Sequence, residues 1–138
     1  MRILIVDDEK IIQKFLAGVL SRYGTCDQAW NGQEAVELYE LSLAAGTPYN
    51  LIIMDIMMPV MSGLDATRII TTMRDTSEVP GAENTHVVML SCLDDPKHLT
   101  EAQFDAGADA YLTKPLEIER LEEALVGLGL IEGGFEDA

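Results

Sequence analysis

Four times along the chain a short, mostly apolar run stops at a polar side chain. Ile3-Leu4-Ile5-Val6 stops at Asp7-Asp8, and Leu51-Ile52-Ile53-Met54 stops at Asp55. Val87-Val88-Met89-Leu90 stops at Ser91, and Ala110-Tyr111-Leu112-Thr113 stops at Lys114-Pro115. Uninterrupted runs of this length suit strands buried on both faces. Between them apolar residues recur at helical spacing. The alternation of strand and helix predicts an α/β fold built on a parallel sheet.

The first strand is expected at about Arg2–Val6 and the first helix at about Glu9–Arg22. Ile11, Ile12, Phe15, Leu16, Val19 and Leu20 form that helix's expected buried face. Tyr23-Gly24 ends it. A short second strand, Thr25–Ala29, precedes a capping box, with Asn31 at the N-cap and Glu34 three residues on. The second helix runs to about Ala45 and buries Ala35, Val36, Leu38 or Tyr39, and Leu43; Gly46-Thr47-Pro48 breaks it. Ser62 and Asp65 are capping candidates for the third helix, which buries Ile69, Ile70 and Met73. Arg74 to Thr85, with Pro80-Gly81, reads as a long loop. The fourth helix starts at Asp94 or Asp95, carries Pro96 in its first turn and stops at Gly107. A fifth strand at about Ala110–Leu112 leads to a fifth helix from near Glu117. That helix stacks Ile118, Leu121, Leu125 and Leu128 and ends at Gly133-Gly134. The expected fold is a five-stranded, doubly wound parallel sheet in the flavodoxin-like order 2-1-3-4-5.

Parallel strands all finish at one edge, and ligands of such sheets bind just outside it. That edge gathers the carboxylates of Asp7, Asp8 and Asp55, the hydroxyl of Ser91 and the ammonium of Lys114. Carboxylates that close raise one another's pKa and call for a cation. Oxygen ligands without a His/Cys set exclude zinc and favour Mg²⁺. Lys114 adds positive charge and Ser91 a donor, which together describe a receptor for a phosphoryl group. One carboxylate is then a candidate nucleophile, giving an acyl phosphate. Each feature has a bland reading alone: Asp7-Asp8 as helix N-terminal acids, Ser91 as a turn hydroxyl, Lys114 as a surface lysine before a turn proline. Their coincidence at matching ends of four strands is what carries the functional reading.

The chain's 138 residues and 48% hydrophobic content fit one domain with an ample core. No apolar run approaches the ~18 residues of a membrane span. The apolar part of the N-terminus is too short for a signal peptide, so a cytoplasmic location is expected. Lys plus Arg number 9 against 24 for Asp plus Glu, a net charge of −15. Such a surface repels nucleic-acid phosphates and anionic lipid and argues for a protein partner. Cys26 and Cys92 form no CxxC pair and no cluster with His86 or His98, so reduced, buried thiols are expected.

On these residues the chain resembles the CheY-like receiver domain of two-component response regulators. Asp7-Asp8 resembles the family's acidic pair, and Asp55-Ile56-Met57-Met58-Pro59-Val60-Met61-Ser62-Gly63 its phosphoacceptor motif. Ser91 matches its hydroxyl position, Tyr111 its switch aromatic and Lys114-Pro115 its lysine-proline pair. The resemblance covers essentially residues 1–131, leaves 132–138 as a short tail and shows no output domain. It implies a signalling switch, not an enzyme, in which Asp55 takes a phosphoryl group from a histidine kinase or histidine phosphotransfer protein. It also implies Mg²⁺ held directly by Asp8 and Asp55, through water by Asp7 and by the backbone carbonyl of Met57. The Lys114-Pro115 peptide is implied to be cis. Ser91 and Tyr111 would switch a face made by the fourth helix, fifth strand and fifth helix. A phosphorelay intermediate and an unphosphorylated scaffold are the alternatives. A phosphatase of the acyl-aspartate type needs an acid where Met57 stands, and a nucleotide site lacks its Gly-rich loop. Cys92 replaces the small residue usual in the family, and Met57 and Leu93 flank the site with apolar side chains. The sequence therefore predicts slow loss of the phosphoryl group to water.

Overall fold

The computed structural model describes residues 1–92 and 107–133. The expected fourth helix, with Asp94, Asp95, Pro96 and His98, lies outside these residues. So do Leu93, the Cys92 side chain and the tail from Gly134.

The elements are β1 (Arg2–Val6), α1 (Lys10–Leu20), β2 (Thr25–Ala29), α2 (Gly32–Ala44), β3 (Leu51–Asp55) and α3 (Gly63–Thr76). A short 3₁₀ turn (Ala82–Asn84), β4 (His86–Cys92), β5 (Ala110–Lys114) and α4 (Ile118–Gly127) follow. The last of these is the helix expected as the fifth. The sheet has the order β2-β1-β3-β4-β5 and every pairing is parallel. Its register sets Val6 beside Met54, Asp55 beside Leu90 and Cys92 beside Lys114, so the polar strand ends line up.

Side chains alternate between the two faces of a strand. Leu4, Val6, Ile52, Met54, Val87 and Met89 therefore join α2 and α3 in one core cluster, around Tyr39 and Ile70. Ile3, Ile5, Leu51, Ile53, Val88 and Leu90 join Leu16, Leu20, Leu121 and Leu125 of α1 and α4 in the other. β1, β3 and β4 are covered on both faces, which is why their sequences are apolar without alternation.

Local signals act largely as expected. The Asn31 side chain accepts the Glu34 N–H at 2.9 Å. Glu34 reaches back to the N–H of Trp30, one residue before the cap, at 2.8 Å. Ser62 caps α3 by accepting the Asp65 N–H at 3.2 Å.

Several expectations change. In α1 the residues at i, i+3 and i+7 that meet the sheet are Gln13, Leu16 and Leu20. Ile11, off that stripe, is 80% exposed, and Phe15 is also exposed. In α3 the inward face is Leu64, Ala66, Thr67, Ile70 and Thr71, with Ile69 exposed. α4 ends at Gly127 and not at Gly133-Gly134, because Gly129 adopts a left-handed φ of 75°. The Leu130 N–H then bonds Leu125 O and the Gly129 N–H bonds Val126 O, a Schellman closure. β4 runs one residue and β5 two residues beyond the expected ends. Cys26 is half-buried, not buried. Among the described residues no helix is long and apolar enough to cross a membrane.

Candidate functional site

The apolar strands carry their terminal side chains to one edge of the sheet. Asp7 follows β1 and is wholly buried; Asp55 closes β3 and is 4% exposed; Asp8 faces solvent. One carboxylate oxygen from each lies within 4.8 Å of the other two. Lys114, last residue of the edge strand β5, reaches across to them. Its Nζ stands 3.2 Å from Asp7 Oδ2, 3.4 Å from Asp55 Oδ2 and 3.6 Å from Glu9 Oε1. The remaining oxygens are held by backbone: Asp7 Oδ1 accepts the Glu9 N–H at 2.8 Å and Asp55 Oδ1 the Met57 N–H at 3.3 Å.

Ser91 ends beside them on β4, is buried, and its Oγ has no hydrogen-bond partner among the described residues. Tyr111 on β5 is half-buried against the cluster that holds Val87 and Met89. The Met57 side chain is 54% exposed at the rim. The Lys114-Pro115 peptide is cis. The loop after Asp55 turns sharply, with Val60 at a left-handed φ of 70°. Gly63 then donates to Ile56 O at 2.9 Å. A Cβ at position 63 would overlap the Asp55 carbonyl oxygen, so glycine is what lets α3 start this close to the site.

Charge is concentrated here at low solvent exposure. Burial, and then the Asp7 charge, push the Asp55 carboxyl up to about 7 against the pull of Lys114. Burial likewise raises the Asp7 carboxyl, against the Glu9 N–H and Lys114. For Lys114 burial works to lower the pKa, but the Asp55, Asp7 and Glu9 carboxylates outweigh it and the ammonium is held above its ordinary value. Among the described residues, two buried carboxylates of the cluster thus share one ammonium. The cluster's donors among the described residues are all oxygen, which suits a hard divalent cation, and the Ser91 hydroxyl, partnerless among those residues, offers a donor to an anionic ligand.

The structure brings together Asp7, Asp8, Asp55 and Lys114 as the sequence predicts, with Ser91 at the same edge. It adds Glu9, whose acid was read only as the helix start, and Gln13, which a helical apolar pattern hides. Gln13 is 1% exposed, and its Nε2 lies within bonding distance of three carbonyls: Ile5 O at 3.1 Å, Asp7 O at 3.1 Å and Ala29 O at 2.8 Å.

The strand order and this acidic, lysine-bearing edge together define a CheY-like α/β domain. The sequence pattern of the response regulator receiver domain matches residues 3–126. The chain therefore belongs to the receiver-domain family of two-component signalling. It is 37% identical over 126 residues to the transcriptional regulatory protein PdtaR of Mycobacterium tuberculosis, covering 90% of this chain and 54% of that protein. The chain thus spans about half of that relative's length. Among solved structures it resembles the receiver domain of the response regulator Ssk1 in complex with the histidine phosphotransfer protein Ypd1, from Saccharomyces cerevisiae. The TM-score is 0.77 at 28% identity, covering 94% of this chain and 88% of that one. It also resembles the receiver domain of the sensor histidine kinase PA1611 of Pseudomonas aeruginosa, which holds a magnesium ion in its active-site cleft. There the TM-score is 0.74 at 25% identity, covering 93% and 97% of the two chains.

Proposed function

We propose that this receiver accepts a phosphoryl group on Asp55 from the phosphohistidine of a histidine kinase or histidine phosphotransfer protein. The observation that carries this reading is the Lys114 ammonium, 3.2 Å from Asp7 and 3.4 Å from Asp55, at the edge where the buried Ser91 hydroxyl has no partner among the described residues. The two receiver neighbours, one bound to a phosphotransfer protein and one to magnesium, support it.

In the transfer an Asp55 carboxylate oxygen attacks phosphorus. The P–N bond to the donor imidazole breaks, its electron pair stays on the ring nitrogen, and a P–O bond forms to Asp55. The Met57 N–H on Oδ1 and Lys114 beside Oδ2 fix the carboxylate for attack. Lys114 offsets charge on the phosphoryl oxygens, and the Ser91 hydroxyl donates to one of them. Asp8 and Asp55 directly, Asp7 through water and Met57 through its backbone carbonyl would hold Mg²⁺, which supplies the remaining charge neutralisation. With a carboxyl near 7, Asp55 is only partly ionised at neutral pH without a cation, so metal binding and nucleophile ionisation are coupled.

Phosphorylation adds about −1.5 to −2 charge and three acceptor oxygens. Ser91 turns toward the new group, and Tyr111 follows into the space it leaves. The face carrying β5 and α4 changes shape and binds its protein target. The chain works as a switch in the cytoplasm, not as an enzyme acting on free substrate, since Met57 stands where an acyl-aspartate phosphatase carries its acid.

Intact mass after incubation with Mg²⁺ and acetyl phosphate tests the reading. One phosphoryl group gained, absent in Asp55→Ala and blocked by a chelator, is expected. No gain from acetyl phosphate or from a phosphorylated histidine phosphotransfer protein, with Mg²⁺ bound, would overturn it.

A further inference from the structure

Asp7 is held at every polar atom it owns. Its N–H donates to Ala29 O at 3.2 Å, Oδ1 accepts from the Glu9 N–H, Oδ2 faces Lys114, and its carbonyl oxygen accepts from Gln13 Nε2 at 3.1 Å. The last contact differs in kind from the others. The Asp7 carbonyl belongs to the peptide unit that joins Asp7 to Asp8. Whatever fixes that carbonyl fixes the plane of the peptide, and with it the places of the Asp8 nitrogen and Cα from which the Asp8 side chain starts.

The same Gln13 nitrogen lies 3.1 Å from Ile5 O and 2.8 Å from Ala29 O. It therefore ties the last turn of β1 to the end of β2, just where β1 pairing stops and the chain bends into α1. The amide orientation is settled by chemistry: three carbonyl oxygens face this atom, and only the NH₂ end donates. Gln13 Oε1 is buried with no partner among the described residues, so the side chain is buried at a cost that packing alone does not require. An apolar residue would fill the stripe it shares with Leu16 and Leu20.

We infer that Gln13 is a positioning residue for the metal cluster: its amide sets the Asp7-Asp8 peptide so that the two carboxylates converge with Asp55. This rests on the proposed reading of the cluster as a divalent-cation site. Gln13 touches neither cation nor phosphoryl group. It acts through the backbone of the residues that do, as outer contacts of metal ligands commonly act.

Gln13→Met keeps the length of the side chain and removes its donors. Mg²⁺ binding is read by isothermal titration calorimetry, which does not depend on phosphorylation. The Mg²⁺ concentration giving half-maximal phosphorylation by acetyl phosphate is read separately. A rise in the Mg²⁺ dissociation constant of about tenfold is expected. The phosphorylation rate at saturating Mg²⁺ should stay within about twofold, because Asp55 and Lys114 keep their places. Leu125→Ala, a core cavity under α4, serves as the comparison for general destabilisation. An unchanged dissociation constant in folded Gln13→Met overturns the inference, and so does an equal rise in Leu125→Ala. If Gln13→Met does not fold, Gln13→Asn is read by the same criterion, since its amide falls one methylene short. Wild-type protein that binds Mg²⁺ but takes no phosphoryl group would count against the Asp55 reading and leave the Gln13 measurement intact.

Discussion

Gly63 lies so close to the Asp55 carbonyl oxygen that no side chain fits between them. The contact is backbone to backbone, so nothing flexible can give way. Gly63→Ala is expected to cost about 3 kcal/mol of stability, at the upper end for overpacking. Urea unfolding measures it. A loss below ~0.5 kcal/mol would mean that the start of α3 can shift away from β3.

Asp55 makes stability depend on pH in an unusual direction. Its carboxyl lies at about 7 in the folded chain, against an ordinary value of 3.8, so the folded state binds its proton more tightly than the unfolded one. The contribution is full below about pH 4 and is lost as pH rises through about 7. Without divalent cations, Asp55→Asn should leave stability near pH 4 little changed. It should raise stability at pH 8 by about 2–4 kcal/mol relative to the native chain. Denaturant unfolding in a chelating buffer at the two pH values gives the difference. A gain that is the same at both would show that Asp55 is not the titrating group.

Removing the Ser91 hydroxyl should be harmless to the resting fold. Its oxygen is buried without a partner among the described residues, and burying such a group costs about 1–3 kcal/mol. Ser91→Ala should therefore melt at the same temperature as the native chain or a few degrees higher. If the proposed switch operates, the phosphorylated chain should show the opposite sensitivity, with Ser91→Ala reducing any spectral change at Tyr111 on phosphorylation. A lower melting temperature in the resting variant would reveal a native-state partner for the hydroxyl.

Ile11 is 80% exposed, so Ile11→Glu should change stability by no more than about 0.5 kcal/mol. The same change at Leu16, wholly buried on the facing stripe, should unfold the chain. Thermal melts of the two variants separate the inward face of α1 from its flank.

The residues that were legible in the sequence are those whose position follows from a strand's end. An apolar run must stop where the sheet stops, so Asp55 and Lys114 announced themselves by interrupting one. The cap at Asn31 was equally readable, because a side chain bonding three residues ahead is a local event. In α1, Leu16, Val19 and Leu20 are buried as expected, but Ile11 and Phe15 are not, because six apolar residues crowd its first three turns and periodicity alone does not say which stripe faces the sheet. Gln13 was hidden for the complementary reason. A polar residue among apolar neighbours looks solvated, and the three carbonyls that bury it come from Ile5, Asp7 and Ala29, brought together only by the fold. The end of α4 was missed because Gly129, one glycine among several, is selected by a left-handed turn that composition does not reveal.

The contact between Lys114 and Asp7 spans 107 positions. A chain still emerging from the ribosome carries its three acids long before its lysine. Until β5 has been made and has docked on β4, Asp7 and Asp55 lack the Lys114 counter-charge. The pairing of that edge is thereby tied to completion of the sheet, and the proposed acceptance of a phosphoryl group would wait on the last strand.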